Sequence, residues 1–553
     1  MRRIFILLGL LNTLAFAEDW KQETAPKLNF LELNGYFRSR MNLLSRCDLG
    51  TFVPPTATTL GQGTSGCPVP TSYSSPENAG KNSADRPSTL FWSDLRLRLD
   101  PTINVNEDIR IKGQVDILDN IVLGSATGLY SSPSYPYSFL SATQYEQPGY
   151  LRVKRAWSEI DTAIGEVRFG RMPINFGLGL LYNSGNQITN DFGDNVDGLM
   201  FATQVWGHYL IPGFFMSSMG PNQRGGGMGS LGDGGTAYES NEWGQRYDID
   251  PSDNSYSFVL SFAKKDKEAD IKALLADGRW VLNYGAMGTY RFQVNDRIVD
   301  PTDKLKFVLQ NRNSNAGFLS LWADYRWDKL QVEGEAVGIV GQIGNSKGLW
   351  DDPNQSVSLS MLQAGLAVKS RYGFMSDKLG VGLDAGWASG DRAYGMGVRP
   401  GLKKTTKKGD ADGQQFGGSD TTINNFRFNP AYQIDMILFR EIMGTVTDAF
   451  YLKPHIAYDF TKAFGVRLDI ISSFTNFAES TPGQSQILGL EFDGSLYYQS
   501  EQGIFARMQY GLLVPFAGLN HGDDQVTGNV ALFNDFGTSR LASAFQIFGG
   551  ISF

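Results

Sequence analysis

The chain has 553 residues, with 49 Lys and Arg against 57 Asp and Glu, three His and two Cys. A net charge of −8 argues against a nucleic-acid partner, and there is no zinc signature, P-loop or G-x-S-x-G motif around which to build catalysis. Past the N-terminus no 18 consecutive residues are apolar; that excludes a membrane-spanning helix but not a β-barrel, in which only alternate residues face lipid.

The first element is a signal peptide. Met1-Arg2-Arg3 is a basic n-region, Ile4 to Leu14 an apolar h-region, and Ala15-Phe16-Ala17 an A-x-A cleavage site before Glu18. Residues 1–17 are therefore expected to be removed and 18–553 to form one domain. Losing Arg2 and Arg3 takes the charge from −8 to about −10.

Strand-length segments with period-two alternation follow. Leu31, Leu33, Gly35, Phe37, Ser39, Met41 and Leu43 share one face, and Glu32, Asn34, Tyr36, Arg38, Arg40 and Asn42 the other. The stretch 46–88 is Gly/Ser/Thr/Pro-rich and contains Cys47 and Cys67. An exported chain meets an oxidising compartment, so a Cys47–Cys67 disulfide is expected; it would close a loop of roughly 20 residues, worth about 3 kcal/mol in a chain-entropy model. Phe91 to Leu99 and Ile109 to Ile117 alternate against Asp94, Arg96 and Arg98, and against Arg110, Lys112 and Asp116.

Gly165-Glu166-Val167-Arg168-Phe169-Gly170-Arg171 resembles the strand that leads into the constriction loop of general porins. The Gly/Asn-rich loop after it, 172–195, is a candidate to fold inward. Asp191, Asp194 and Asp197, spaced by three, form a weak oxygen cluster for a hard cation; the competing reading is a solvated acidic loop end. Lys267 to Ala276 reads as a short helix in a tight-turn position. Alternation resumes at Trp280 to Phe292, Leu330 to Gly338 and Leu488 to Leu496, and Phe545, Ile547, Gly549, Ile551 and Phe553 close the chain on one face. That last row resembles the terminal signal read by the barrel assembly machinery.

Nineteen segments have strand character, whereas a single-chain bacterial barrel needs an even number with both ends periplasmic. The segment 432–443, YQIDMILFREIM, fits helical spacing at least as well, with Ile434, Ile437, Leu438 and Ile442 on one side. Reading it as a helix above or inside the barrel mouth makes 389–448 one long outer loop and places the Thr461-Lys462-Ala463 turn on the periplasmic side. The prediction is an all-β fold: one closed antiparallel transmembrane barrel of 18 strands, with 16 or 20 as alternatives, in the outer membrane.

Inward phase then assigns lining residues. Arg38, Arg40, Arg96, Arg98, Arg110, Lys112, Arg152 and Arg168 come from early strands, and Glu333, Glu335, Asp384, Asp459, Asp469, Glu491 and Asp493 from later ones. One reading is a basic wall facing an acidic wall across a water-filled pore; the other is a set of luminal salt bridges. Three stretches, LRLRLDPTINVNEDIRIKGQVDILDNIVLGS, VKRAWSEIDTAIGEVRFGRMP and NFRFNPAYQIDMILFREIMGTVTDAFYLKP, cover about one seventh of the chain. Together they resemble a family of long outer-membrane barrels from gliding and predatory Gram-negative bacteria. The resemblance implies an exported barrel and supplies no substrate. The leading function is passive diffusion of small polar solutes without cofactor or metal. The alternatives are a non-conducting surface barrel, oligomeric or not, and a lipid-handling or enzymatic barrel.

Overall fold

The computed structural model describes residues 29–47, 49, 89–123, 151–217, 239–240, 246–247, 252–299, 307–346, 357–392, 396, 421–520 and 538–553. Their alternating side chains drive eighteen strands: β1 Leu31–Ser45, β2 Thr89–Asn104, β3 Ile109–Val122, β4 Leu151–Thr162, β5 Gly165–Pro173, β6 Asn195–Val205, β7 His208–Ser217, β8 Ser255–Lys264, β9 Val281–Val299, β10 Phe307–Trp327, β11 Leu330–Ile343, β12 Leu359–Phe374, β13 Leu379–Ala388, β14 Ala449–Asp459, β15 Phe464–Thr475, β16 Ile487–Gln499, β17 Ile504–Pro515 and β18 Ala542–Ser552. Each pairs antiparallel with its sequence neighbours, and β18 returns to β1 in the register Phe37↔Ile551 and Met41↔Ile547. The barrel is closed with 18 strands, as the parity of the turns requires. Closure leaves no sheet edge in lipid. Gly35 and Phe553 exchange backbone hydrogen bonds at 3.0 Å, so the terminal Phe is part of the seam.

The outer surface is what alternation dictates. Phe37, Leu199, Phe258, Leu319, Leu362, Leu452 and Tyr510 point outward and are exposed. Aromatic side chains pack together near the periplasmic strand ends, with Trp280 by Tyr325, Tyr372 by Phe374, and Phe460 between Tyr458 and Phe464. A second group, Phe214, Tyr256, Phe258 and Phe292, lies nearer the outer ends of its strands. These are the two interfacial girdles of a membrane barrel. Turns on the terminus side are short, as at 163–164, 206–207 and 328–329. Trp206 and Gly207 both have positive φ, as a two-residue type I′ turn demands. The predicted helix is present as α1, Glu268–Ala276, in the β8–β9 turn.

The segment 432–443 departs from expectation. It is not a strand, but its helical part is only one π-helical turn, Leu438–Ile442. The cause is two carboxylates, Glu491 from the wall and Asp435 within the segment, that take five consecutive N–H groups and leave little ladder for an α-helix. Thr422–Ile423 pairs parallel to Ser360 and Met361 of β12, outside the ring. Residues 1–28, and with them the signal peptide, lie outside the described residues, as does Cys67; Cys47 is buried just past β1.

Candidate functional site

Two segments fold into the lumen. The first is the β5–β6 loop, 174–194. Ile174 and Phe176 are buried against inward residues of β6–β10, including Met200, Ile211, Phe215, Val259, Met287 and Trp322. The second lies at the end of the β13–β14 connection, from Asn424 to Asp448. Phe426, Phe428, Tyr432, Ile434, Met436, Ile437, Leu438, Phe439 and Ile442 join one apolar cluster with inward residues of β11–β18 and β1. A Cβ on Gly365 would strike the Phe426 ring, and one on Gly386 the Tyr451 ring, so glycine leaves the wall flat where the aromatics approach it.

The inward carboxylates hold these segments. Glu335 accepts from the N–H of Gly179 at 2.9 Å and of Leu180 at 3.1 Å, and from the Ser320 hydroxyl at 2.7 Å. Glu491 accepts from the N–H of Met436, Ile437 and Leu438 at 2.9, 2.7 and 3.0 Å. Within the segment, Asp435 accepts from Phe439 and Arg440 at 2.9 and 3.0 Å. Burial pushes the Asp435 carboxyl up to about 6 against the pull of those two donors. Lys453 donates to the Ile434 carbonyl at 2.6 Å, the Tyr432 and Tyr451 hydroxyls meet at 3.2 Å, and the Lys369 ammonium sits 4.6 Å from the Tyr432 ring centre. The two segments also join each other: Asn429 donates to Asp194 at 2.6 Å and to the Leu181 carbonyl at 3.2 Å.

The predicted lining residues fall into groups. Arg38, Arg40, Arg96 and Arg98 are adjacent on β1 and β2, inward and buried. They do not stand as a bare basic wall. Arg40 reaches Asp94 at 3.0 Å and Asp191 at 2.8 Å, Arg96 reaches Asp119 at 2.7 Å, and Arg98 reaches Asp116 at 2.7 Å. Arg38 donates to the Ile188 carbonyl at 2.6 Å and meets Asp191 at 3.0 Å, which ties the first infolded segment to this wall. Arg110 pairs with Asp161 at 2.9 Å, Lys112 with Glu159 at 3.2 Å, and Arg168 with Glu166. Arg152 is at the outer rim, 63% exposed.

On the later strands, Glu333 accepts from the Trp322 indole at 2.9 Å and Asp459 from the Tyr497 hydroxyl at 2.5 Å. Asp469 meets Arg467 at 2.8 Å, and Asp384 lies 3.8 Å from His455. The early wall thus carries its own counter-charges, whereas on the later wall Asp469 and Asp384 have Arg467 as a cationic neighbour and Glu333 and Asp459 take neutral donors. Glu335 and Glu491 are buried under the infolded segments instead of facing an open channel.

Asp191, Asp194 and Asp197 do not converge. Asp191 goes to Arg38 and Arg40, Asp194 to Asn183 and Asn429, and Asp197 to an outward bidentate pair with Arg171. Burial works to raise the Asp191 carboxyl, but Arg40 and Arg38 outweigh it and hold it below the usual carboxylate range.

Sequence reasoning missed the anchoring roles of Glu335, Glu491, Asp435 and Lys453. The signal available was the apolar density of 426–442, too high for a water-exposed loop.

The closed ring, its apolar belt and its two girdles decide the setting. The chain is an outer-membrane β-barrel. No protein-family model and no curated protein sequence matches it. Solved structures of similar layout include the outer membrane protein OpdK from Pseudomonas aeruginosa, at 9% identity over 95% of this chain and 98% of that one, with a TM-score of 0.44. OccK9 (OpdG) from Pseudomonas aeruginosa is similar at 11% identity over 94% and 98%, with a TM-score of 0.44. A BenF-like porin from Pseudomonas fluorescens Pf-5 is similar at 10% identity over 95% and 100%, with a TM-score of 0.43.

Proposed function

We propose that the protein is a constricted porin-like channel for passive diffusion of small hydrophilic solutes. One observation supports this most: inward charged side chains keep contact with water on both sides of the infolded segments. Toward the periplasm Arg467 is 35%, Lys112 25% and Arg110 20% exposed. Toward the outside Lys154 is 28% and Asp191 23% exposed. Paired charges at a narrow waist select for polar solutes, because an apolar one would strip water from them without replacing it.

The test is single-channel recording of the purified protein in a planar bilayer. Small, well-defined steps are expected, growing severalfold when 427–445 is replaced by a short Gly/Ser linker. Absence of any step in both proteins retires the channel. It would favour the second reading, a non-conducting surface barrel, whose support is the continuous apolar cluster joining segment to wall.

An enzymatic barrel has less behind it. Among the described residues, His455 has Arg467, Asp384, Asp469 and Lys453 as charged neighbours and no hydroxyl or thiol bonded to it. Cleavage after Ala17, delivery through the strand ending at Phe553 to the barrel assembly machinery, and self-association in the membrane belong to the same proposal. Mass determination of the mature N-terminus, with Glu18 first, tests the export step. Kinship with the barrels of gliding and predatory bacteria rests on the three quoted stretches alone.

A further inference from the structure

Three carboxyl groups meet beneath the second infolded segment. Glu491, 1% exposed, receives three N–H groups of the segment on its two oxygens. Asp435 belongs to the segment and is an electrostatic neighbour of both Glu491 and Asp493. Asp493 is 9% exposed, lies two residues along the same inward row of β16, and is within hydrogen-bonding reach of the Glu491 carboxyl. Its Oδ1 receives no hydrogen bond.

The charges facing this group from the surrounding elements are few. β14 presents Lys453, which also lies 3.5 Å from Asp469 of β15. Asp469 is itself paired with Arg467. β17 presents Gly511, against Asp493 and Met436. From β12 and β13, Lys369 sits on the Tyr432 ring and Asp384 is beside His455 and Arg467. In the segment, Arg440 pairs with Glu441 at 3.4 Å, and Glu441 has Arg40 and Asp191 as its further charged neighbours. Among the described residues, Lys453, together with Arg440 beside Asp435, is the positive charge set against three carboxyls.

Two carboxylates can hydrogen-bond to each other only with a proton between them, and like charges this close cannot all ionise away from water. We propose that Asp435, Glu491 and Asp493 form a proton-binding latch: a proton shared among them keeps 432–443 docked in the lumen, and its loss releases the segment and widens the passage. The widening rests on the channel reading above; the release does not.

The direction follows by linkage. Asp435 is raised from 3.8 to about 6 by burial, so the docked state binds the proton more tightly than the undocked one. Docking is strongest in acid and weakens as pH rises from about 4 through about 6.

The test is amide hydrogen exchange of the intact barrel at pH 5 and pH 8, corrected for the intrinsic pH dependence of exchange. Protection over 434–442 should fall at least tenfold at pH 8, while the strands stay unchanged. Asp493→Asn removes one charge of the cluster and should flatten that fall. Equal protection at both pH values in the wild type overturns the latch, and so does an undiminished fall in Asp493→Asn. Should that variant fail to assemble, Lys453→Met is the second arm: without the ammonium the carboxyls hold their proton more tightly, so release should move to higher pH, and an unmoved midpoint overturns the proposal. Recordings at the same two pH values separate the readings. pH-dependent exchange in a silent barrel keeps the latch and retires the channel. pH-dependent exchange with pH-independent conductance overturns the widening.

Discussion

Truncating Glu491 tests the anchorage of the infolded segment most directly. Its carboxylate takes the N–H groups of Met436, Ile437 and Leu438 at 2.9, 2.7 and 3.0 Å. Hydrogen bonds to a charged acceptor are worth about 1.5–3 kcal/mol each. These three share one carboxylate, so roughly 3–6 kcal/mol is at stake, less than their sum. Glu491→Ala leaves three buried donors without an acceptor. The barrel survives, because its ladders do not involve the segment, and apolar burial of Ile434, Met436, Ile437, Leu438, Phe439 and Ile442 still favours docking by about 1.5–3 kcal/mol per side chain. Amide exchange over 434–442 should therefore accelerate about 100-fold or more, at about 1.4 kcal/mol per decade, with no change in the strands. Glu491→Gln keeps one acceptor oxygen and should fall between. Wild-type exchange in Glu491→Ala would refute the anchorage.

Other expectations follow from the same structure. Arg96→Met breaks a fully buried ion-pair network and should cost about 3–5 kcal/mol, read as a lower denaturation temperature; Arg467→Gln, 35% exposed in the lumen, should leave stability near wild type and shift the reversal potential toward cations. Burial pushes Asp448 up to about 7, against its bonds from Ser480, Asn476 and Thr475, so stability falls as pH rises from about 4 to 7. Asp448→Asn should lessen that fall by roughly 2–4 kcal/mol, seen by comparing thermal denaturation of both proteins at pH 5 and pH 8. For Cys47 and Cys67, mass spectrometry without reduction should find both thiols blocked to alkylation, and free thiols would refute the bridge.

Much of the barrel was legible because side-chain direction in a strand is local. Arg38 and Phe37 point opposite ways whatever lies beside them, and a one-residue slip would put four arginines into lipid. What lies beside them is not local. Arg40 stands opposite Asp94, Arg98 opposite Asp116, and Asp384 opposite Lys453, and these registers turn charged rows into paired ones. The same limit hid the anchors. Nothing around Glu491 announces that its partners lie 53 to 55 positions away. The segment 432–443 was readable as not a strand, from its spacing, but its irregular path is imposed by Glu491 and Asp435.

The apolar cluster that holds the second infolded segment has a temporal consequence. It contains Leu44 from the first strand and Ala542 and Ala544 from the last, alongside Phe426 and Leu438. That binding surface is complete only when the two ends of the chain have met, nearly 500 residues apart in sequence, although β11–β17 supply most of it and Glu491 its anchor. A chain lacking its final strand would lose the part of the floor given by Ala542 and Ala544, so full docking of 432–443 includes contacts that only the closed seam provides.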